Sequence, residues 1–105
     1  MDIATSVYKL TESFPESERF GLSSQIRRCA VSVASNIAES ASRISEKDKN
    51  RFMQIALGSL FELETQLLIS TSLGFVDSQA SDTILTDIIE EQKMISGFMK
   101  QLITD

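Results

Sequence analysis

The stretch SEKDKNRFMQIALGSLFELETQLLISTSLG, residues 45–74, decides the fold. Ser45 can cap a helix, Asp48 stands at the capping-box position, and the first turn is acidic, as the helix dipole favours. No proline interrupts the stretch, and Gly74 suits the position just past a helix end. The pattern predicts one helix from Ser45 to about Leu73, roughly 40 Å long at ~1.5 Å per residue. Its apolar residues cover more than one face. Phe52, Ile55/Ala56, Leu63 and Leu67 form one stripe, and Met53, Leu57, Leu60, Phe61 and Leu68 form another. A helix apolar on two sides is central in its domain or sits at a subunit interface.

Three further helical segments lie around it. Residues 2–12 place Ile3, Val7 and Leu10 at helical spacing, with Tyr8 beside them, in barely three turns. That is short for a helix that must hold its place unaided. Phe14-Pro15 then breaks the chain, since Pro15 has no amide to donate and pushes Phe14 out of the helical region. A second segment, from Pro15 or Arg19 to Ser42, carries Leu22, Ile26, Cys29/Ala30, Val33, Ile37, Ala41 and Ile44 at steps of three or four. Small residues flank that stripe and admit a close neighbour. Gly21 marks a kink near its start. The last segment can be capped by Asp77 and runs to about Ile103, with Ile84/Leu85, Ile88/Ile89, Ile95, Phe98/Met99 and Leu102/Ile103 in period. No useful strand alternation, internal repeat or low-complexity linker occurs. Short connections between long helices predict an all-α, up-down-up-down antiparallel four-helix bundle, one domain over residues 1–105.

Composition narrows the chemistry. The chain of 105 residues has no His, no Trp, one Cys and one Pro. Without His, the usual zinc sites, haem ligation and every His-dependent triad are excluded. Serines are plentiful but have no His base, and no motif supports Ser–Lys chemistry. The carboxylates form no acid–base pair: Glu62 and Glu64 are two apart and face different ways, while Asp87, Glu90 and Glu91 read as a solvated face. Gly58-Ser59 lies mid-helix and reads as close helix packing, not as a phosphate loop. Cys29 sits on the apolar stripe and reads as a buried thiol. No catalytic residue, metal, cofactor or small-molecule substrate is expected. No apolar run approaches a membrane span, and no secretory pattern opens the chain, so a cytoplasmic protein is expected.

Charge is uneven. Residues 27–51 carry Arg27, Arg28, Arg43, Lys47, Lys49 and Arg51 against Glu39, Glu46 and Asp48, net +3, within a chain of net charge −5. Two constellations stand out. If the second and third segments are antiparallel about Ser45, facing residues have numbers adding to roughly 90. Arg28 then meets Glu62, Glu39 meets Arg51, Gln25 meets Gln66, and Ser32 lies near Gly58-Ser59. Together with Asn36 these form an expected polar ladder that fixes register and partner choice, since buried polar groups need partners. The second constellation is a basic rim around the turn between these helices, Arg43, Lys47, Lys49 and Arg51, with Arg27 farther along. It is either a solvated helix end or a phosphate-contacting surface. The sequence pI of 4.7 weighs against indiscriminate polyanion binding.

The run Phe14-Pro15-x-x-Glu18-x-x-Gly21-Leu22-x-x-Gln25-Ile26-Arg27-Arg28, then Ser32-Val33-x-x-Asn36-Ile37-Ala38-Glu39, resembles the bacterial four-helix-bundle proteins encoded in intervening sequences of 23S rRNA genes. So does Arg51-Phe52 followed by Ile55-Ala56-x-Gly58-Ser59-x-x-Glu62-Leu63-Glu64-Thr65-Gln66-Leu67. The accessory protein of diversity-generating retroelements is a more distant relative. The resemblance covers about residues 7–76. Such proteins commonly carry one or two more helical turns before the position of Met1, and a Gly where this chain has Ser40. The resemblance implies an up-down-up-down bundle that assembles as a homopentamer, without a settled biochemistry. The retroelement relative binds its reverse transcriptase and nucleic acid through a basic surface. The expected function is a non-enzymatic oligomeric scaffold for macromolecular partners, binding protein through the repeated acidic surface of the fourth helix and the ends of the ring. The alternative is an RNA- or DNA-binding accessory protein using the basic rim.

Overall fold

The computed structural model describes residues 2–104, and the side chains of residues 2–102. Four helices occur in order: α1 (Ile3–Thr11), α2 (Leu22–Ser42), α3 (Glu46–Ser72) and α4 (Ser78–Thr104), with a single 3₁₀ turn at Glu16–Glu18 between the first two. No strand occurs among the described residues. Each helix packs on its sequence neighbours, and α1 closes the cycle against α4, whereas the backbones of the diagonal pairs stay farther apart. That is an up-down-up-down four-helix bundle. Its long dimension of 47 Å is set by α3 and α4, with 23 and 19 Å across.

Local chemistry places the helix ends. The Ser45 hydroxyl accepts the Asp48 amide at 3.1 Å and starts α3. Gly74, at φ +79°, ends it: the Phe75 amide donates to the Ser70 carbonyl at 2.9 Å and the Gly74 amide to Thr71 at 3.0 Å. This paired closure needs a left-handed residue, which glycine adopts without strain. The Phe75 ring then packs tilted against Phe14, the residue before the helix-breaking Pro15, with centroids 5.7 Å apart and planes at 55°. The start of α2 lies later than the sequence pattern suggests, because Glu16–Glu18 wind into the 3₁₀ turn and the Glu18 carboxylate then caps Leu22 at 3.0 Å.

The core is one cluster. Val7, Ile26, Leu60, Leu63, Leu67 and Ile88 are fully buried, with Ala30, Val33, Ala56, Ile84 and Ile95 around them. On α3 the buried stripe is Ala56, Leu60, Leu63, Leu67 and Ser70. The two stripes read from the sequence therefore regroup: Leu60 joins Leu63 and Leu67 inside, while Ile55, Phe61 and Leu68 point outward. Ile44, expected on the α2 stripe, lies beyond the helix end and is almost wholly exposed. Ile103 of the expected α4 stripe lies outside the described side chains.

Candidate functional site

The α2–α3 register agrees with the antiparallel expectation. The Cys29 thiol donates to the Ser59 carbonyl at 3.0 Å, Ser32 Oγ and Ser59 Oγ share a hydrogen bond of 2.9 Å, and the Ser40 hydroxyl donates to the Lys49 carbonyl at 2.8 Å. Asn36 joins by donating to the carbonyl and hydroxyl of Ser32 at 2.8 and 3.1 Å. Other expected rungs do not form. Glu39 pairs with Arg43 at 2.8 Å, one turn along its own helix, and not with Arg51. Arg51 turns to Asp48 at 3.9 Å. Gln66 donates to Glu62 at 3.4 Å, again within one helix, and not to Gln25. In each case the partner taken lies one turn away on the same helix.

Gln25, Arg28, Cys29, Ser32, Ser59 and Glu62 line one shallow cleft between α2 and α3. Arg28 and Glu62 share it without an ion pair, and both are exposed. The cleft still reports Glu62: burial, then the nearby Glu62 carboxylate, pushes the Cys29 thiol up to about 12. A thiol so suppressed is a poor nucleophile.

The basic rim is already occupied. Arg43 and Arg51 both lie over the Phe52 ring, at 4.6 and 4.4 Å from its centroid. The Lys49 ammonium reaches the Ser40 and Ala41 carbonyls at 3.4 and 3.5 Å, where a cation complements the C-terminal end of α2. Lys47 alone is exposed with no partner among the described residues. Arg27 does not join the rim. It stands 16 residues before Arg43, about 24 Å along the axis at ~1.5 Å per residue. There its Nε donates to Thr11 Oγ1 at 2.7 Å, its Nη2 to the Tyr8 carbonyl at 3.3 Å, and its guanidinium lies 4.7 Å from the Tyr8 ring centre. The sequence already set Arg27 farther along α2, but it did not show that Arg27 is held by α1 or that local acids and carbonyls engage Arg43, Lys49 and Arg51.

Three polar contacts were not anticipated. Gln92, nearly buried, donates to Glu64 at 2.8 Å and Thr71 to Ser81 at 2.9 Å, tying α3 to α4, and Ser40 pins the α2–α3 turn. Only the antiparallel α3–α4 alignment could have paired the first two. The strongest outward feature is on α3. Ile55, Phe61, Leu68, Ile69 and Leu73 are between 43% and 58% exposed and share the broad side of α3 opposite its buried stripe. Gly58 lies on this face as well, and a Cβ built there meets nothing within 4 Å. Its close-packing role within the protomer is therefore corrected: no neighbouring helix approaches it. Among the described residues no group of His, Cys, Asp or Glu side chains is arranged to hold a metal, and no helix is long and apolar enough to cross a membrane.

Comparison with known proteins agrees with this architecture. Residues 1–97 match the family model described as 23S rRNA-intervening sequence protein. The chain is also similar to the crystal structure of a protein with unknown function from the S23 ribosomal protein family of Bacteroides thetaiotaomicron. The TM-score is 0.82 and the identity 26%, over 92% of this chain and 88% of that one. No curated protein matches.

Proposed function

The chain belongs to the 23S rRNA-intervening sequence protein family, and we propose that it is a non-enzymatic, self-associating scaffold for macromolecular partners. The observation that carries this reading is the exposed apolar face of α3. Single exposed apolar side chains are ordinary on any surface, but five on one helix face form a patch of the kind that marks interaction sites. Burying the exposed half of each stabilises association by roughly 1–2 kcal/mol per side chain before ordering costs. Gly58 in the same face costs an isolated helix about 1 kcal/mol relative to Ala and has no packing role inside the protomer, whereas it lets a second backbone approach. Arg28 and Glu62, unpaired with each other beside this face, supply charges that can pair across an interface. A homopentamer is the assembly expected from the family resemblance.

Size-exclusion chromatography with light scattering at tens of micromolar tests this. The expected mass is several times the 11.7 kDa of one chain, and five times for the pentamer. The double substitution Phe61→Asp, Leu68→Asp is expected to give the single-chain mass with helicity retained. A wild-type protein that elutes as a monomer overturns self-association. The alternative, an RNA- or DNA-binding accessory protein, is disfavoured by the engagement of Arg27, Arg43, Lys49 and Arg51 within the chain. Fluorescence anisotropy with a short labelled RNA and its DNA counterpart decides between them: micromolar binding with a steep salt dependence, lost when Lys47, Lys49 and Arg51 are reversed to Glu, would restore it.

A further inference from the structure

We propose that the pocket between the last turn of α1 and the first turn of α2 binds a small zwitterion, an α-amino acid with a compact apolar side chain. The pocket has about 230 Å³ of free space, and every residue lining it lies in the continuous run 11–27. The start of α1 is a full helix length away. At about 30 Å³ per water the space holds roughly seven or eight. That is too little for a nucleotide and suits a ligand of about that many non-hydrogen atoms. Ser23 marks the pocket as a site. It lines the space and is 7% exposed, yet its hydroxyl bonds to no described residue. The other buried hydroxyls, those of Thr11, Ser40, Ser70 and Ser81, are all hydrogen-bonded. Ser70 donates to the carbonyl four residues earlier, whereas for Ser23 that carbonyl belongs to Arg19, ahead of the helix. A buried polar group without a partner in the chain calls for one from outside.

The surrounding groups define that partner. Glu18 caps the Leu22 amide, and the first amide to reach a backbone carbonyl is Gln25, on Gly21, so the Ser23 amide has no acceptor among the described residues. Arg27 commits its Nε and Nη2 to α1, which leaves Nη1. Arg19, mostly exposed, is held by Glu16 at 3.5 Å. A hydroxyl, a first-turn amide and two guanidinium groups are the donors that receive a carboxylate. Against them stand Glu16 and Glu12, and Glu12 forms no ion pair among the described residues. Two positive and two negative side chains cancel. A simple anion therefore gains no net attraction, and a dianion such as phosphate is opposed by both carboxylates. A molecule with a carboxylate and an ammonium on one carbon satisfies both halves. Phe14 and Pro15 line the same pocket and offer its side chain an apolar wall.

Titration of ¹⁵N-labelled protein with L-valine, followed by amide chemical shifts, tests the assignment. Isovalerate, the same skeleton without the ammonium, and isobutylamine, without the carboxylate, are the controls. Saturable shifts centred on Ser23 and Glu12 are expected, half-complete at about 1 mM, with each control at least tenfold weaker. Ser23→Ala should weaken L-valine at least tenfold at an unchanged melting temperature, because the hydroxyl bonds nothing in the free protein. The double substitution Glu12→Gln, Glu16→Gln should bring L-valine to the affinity of isovalerate. No saturation by about 50 mM L-valine overturns the proposal. Isovalerate binding as tightly as L-valine also overturns it, since the pocket is then a plain carboxylate site. So does an affinity that Ser23→Ala leaves unchanged. No residue of α3 lines the pocket, so a wild-type monomer that binds L-valine sinks the self-association reading and leaves this one standing.

Discussion

Replacing Arg27 by Ala should release α1 from the bundle while leaving the other three helices folded. A helix of nine residues is not stable alone, because nucleation costs more than so few hydrogen bonds return. What holds α1 is burial of Val7 and Thr11 and the clamp that Arg27 places on its C-terminal turn. The charge-assisted bond from Nε to Thr11 Oγ1, at 2.7 Å, belongs to a class that contributes about 1.5–3 kcal/mol. Stacking on Tyr8 adds about 0.5–1 kcal/mol at a partly exposed site. Two facts reduce the sum. Thr11 keeps its own bond to the Val7 carbonyl at 2.9 Å, so no buried donor is orphaned, and the Tyr8 carbonyl lies where water can reach it. A net loss of about 2 kcal/mol is expected. Concentrated in α1, that loss should speed amide exchange at residues 7–11 by roughly 30-fold, with the α3 core amides changed far less. Arg27→Lys keeps the charge but loses the planar fork and should fall between. Exchange at residues 7–11 within about threefold of wild type would refute the clamp. The same variant bears on function, because an Arg27 committed to α1 should leave any RNA affinity unchanged.

Three further outcomes are expected. Because burial and Glu62 raise the Cys29 thiol to about 12, the folded state favours the neutral thiol more than the unfolded chain does. That stabilisation is complete below the ordinary thiol range and is lost as pH rises from about 9 toward 12, so Cys29→Ala should flatten the alkaline part of a urea-midpoint profile, and an unchanged slope would contradict it. Gly58→Ala should stabilise the single chain by up to about 1 kcal/mol, since its Cβ meets nothing, while shifting light-scattering mass toward monomer; a gain in assembly would show that no second backbone comes close there. Ser40→Ala removes the bond to the Lys49 carbonyl and should lower stability by about 1 kcal/mol in denaturant titration, without altering the assembled mass.

How much of this was legible depends on what a linear pattern encodes. Helix ends were readable because their chemistry is local: Ser45 with Asp48, Pro15 after Phe14, and Gly74 at a positive φ each act within a few residues. The α2–α3 register was readable because one short turn fixes it, and the contacts of Cys29, Ser32 and Ser40 fall where antiparallel pairing puts them. The side-chain partners were not. A charged side chain chooses among every opposite charge within reach, and Glu39 and Gln66 took partners on their own helices. Periodicity also could not tell which of two apolar stripes on α3 faces inward. Only the neighbours settle that, and they leave Phe61 and Leu68 outside.

The distribution of chemistry over the rod then bears on function more than any single group. The interior is spent on packing: its one thiol is suppressed, and the polar groups that tie helix to helix there are met by serines, threonines, Gln92 and backbone. The basic corner is largely neutralised by Glu39, Asp48 and the last carbonyls of α2. The largest feature left uncompensated lies outside, in the apolar face of α3. Such a face is suited to burial against its own kind, so it is on the outside of the rod, and not in its interior, that this chain has chemistry left to offer a second copy.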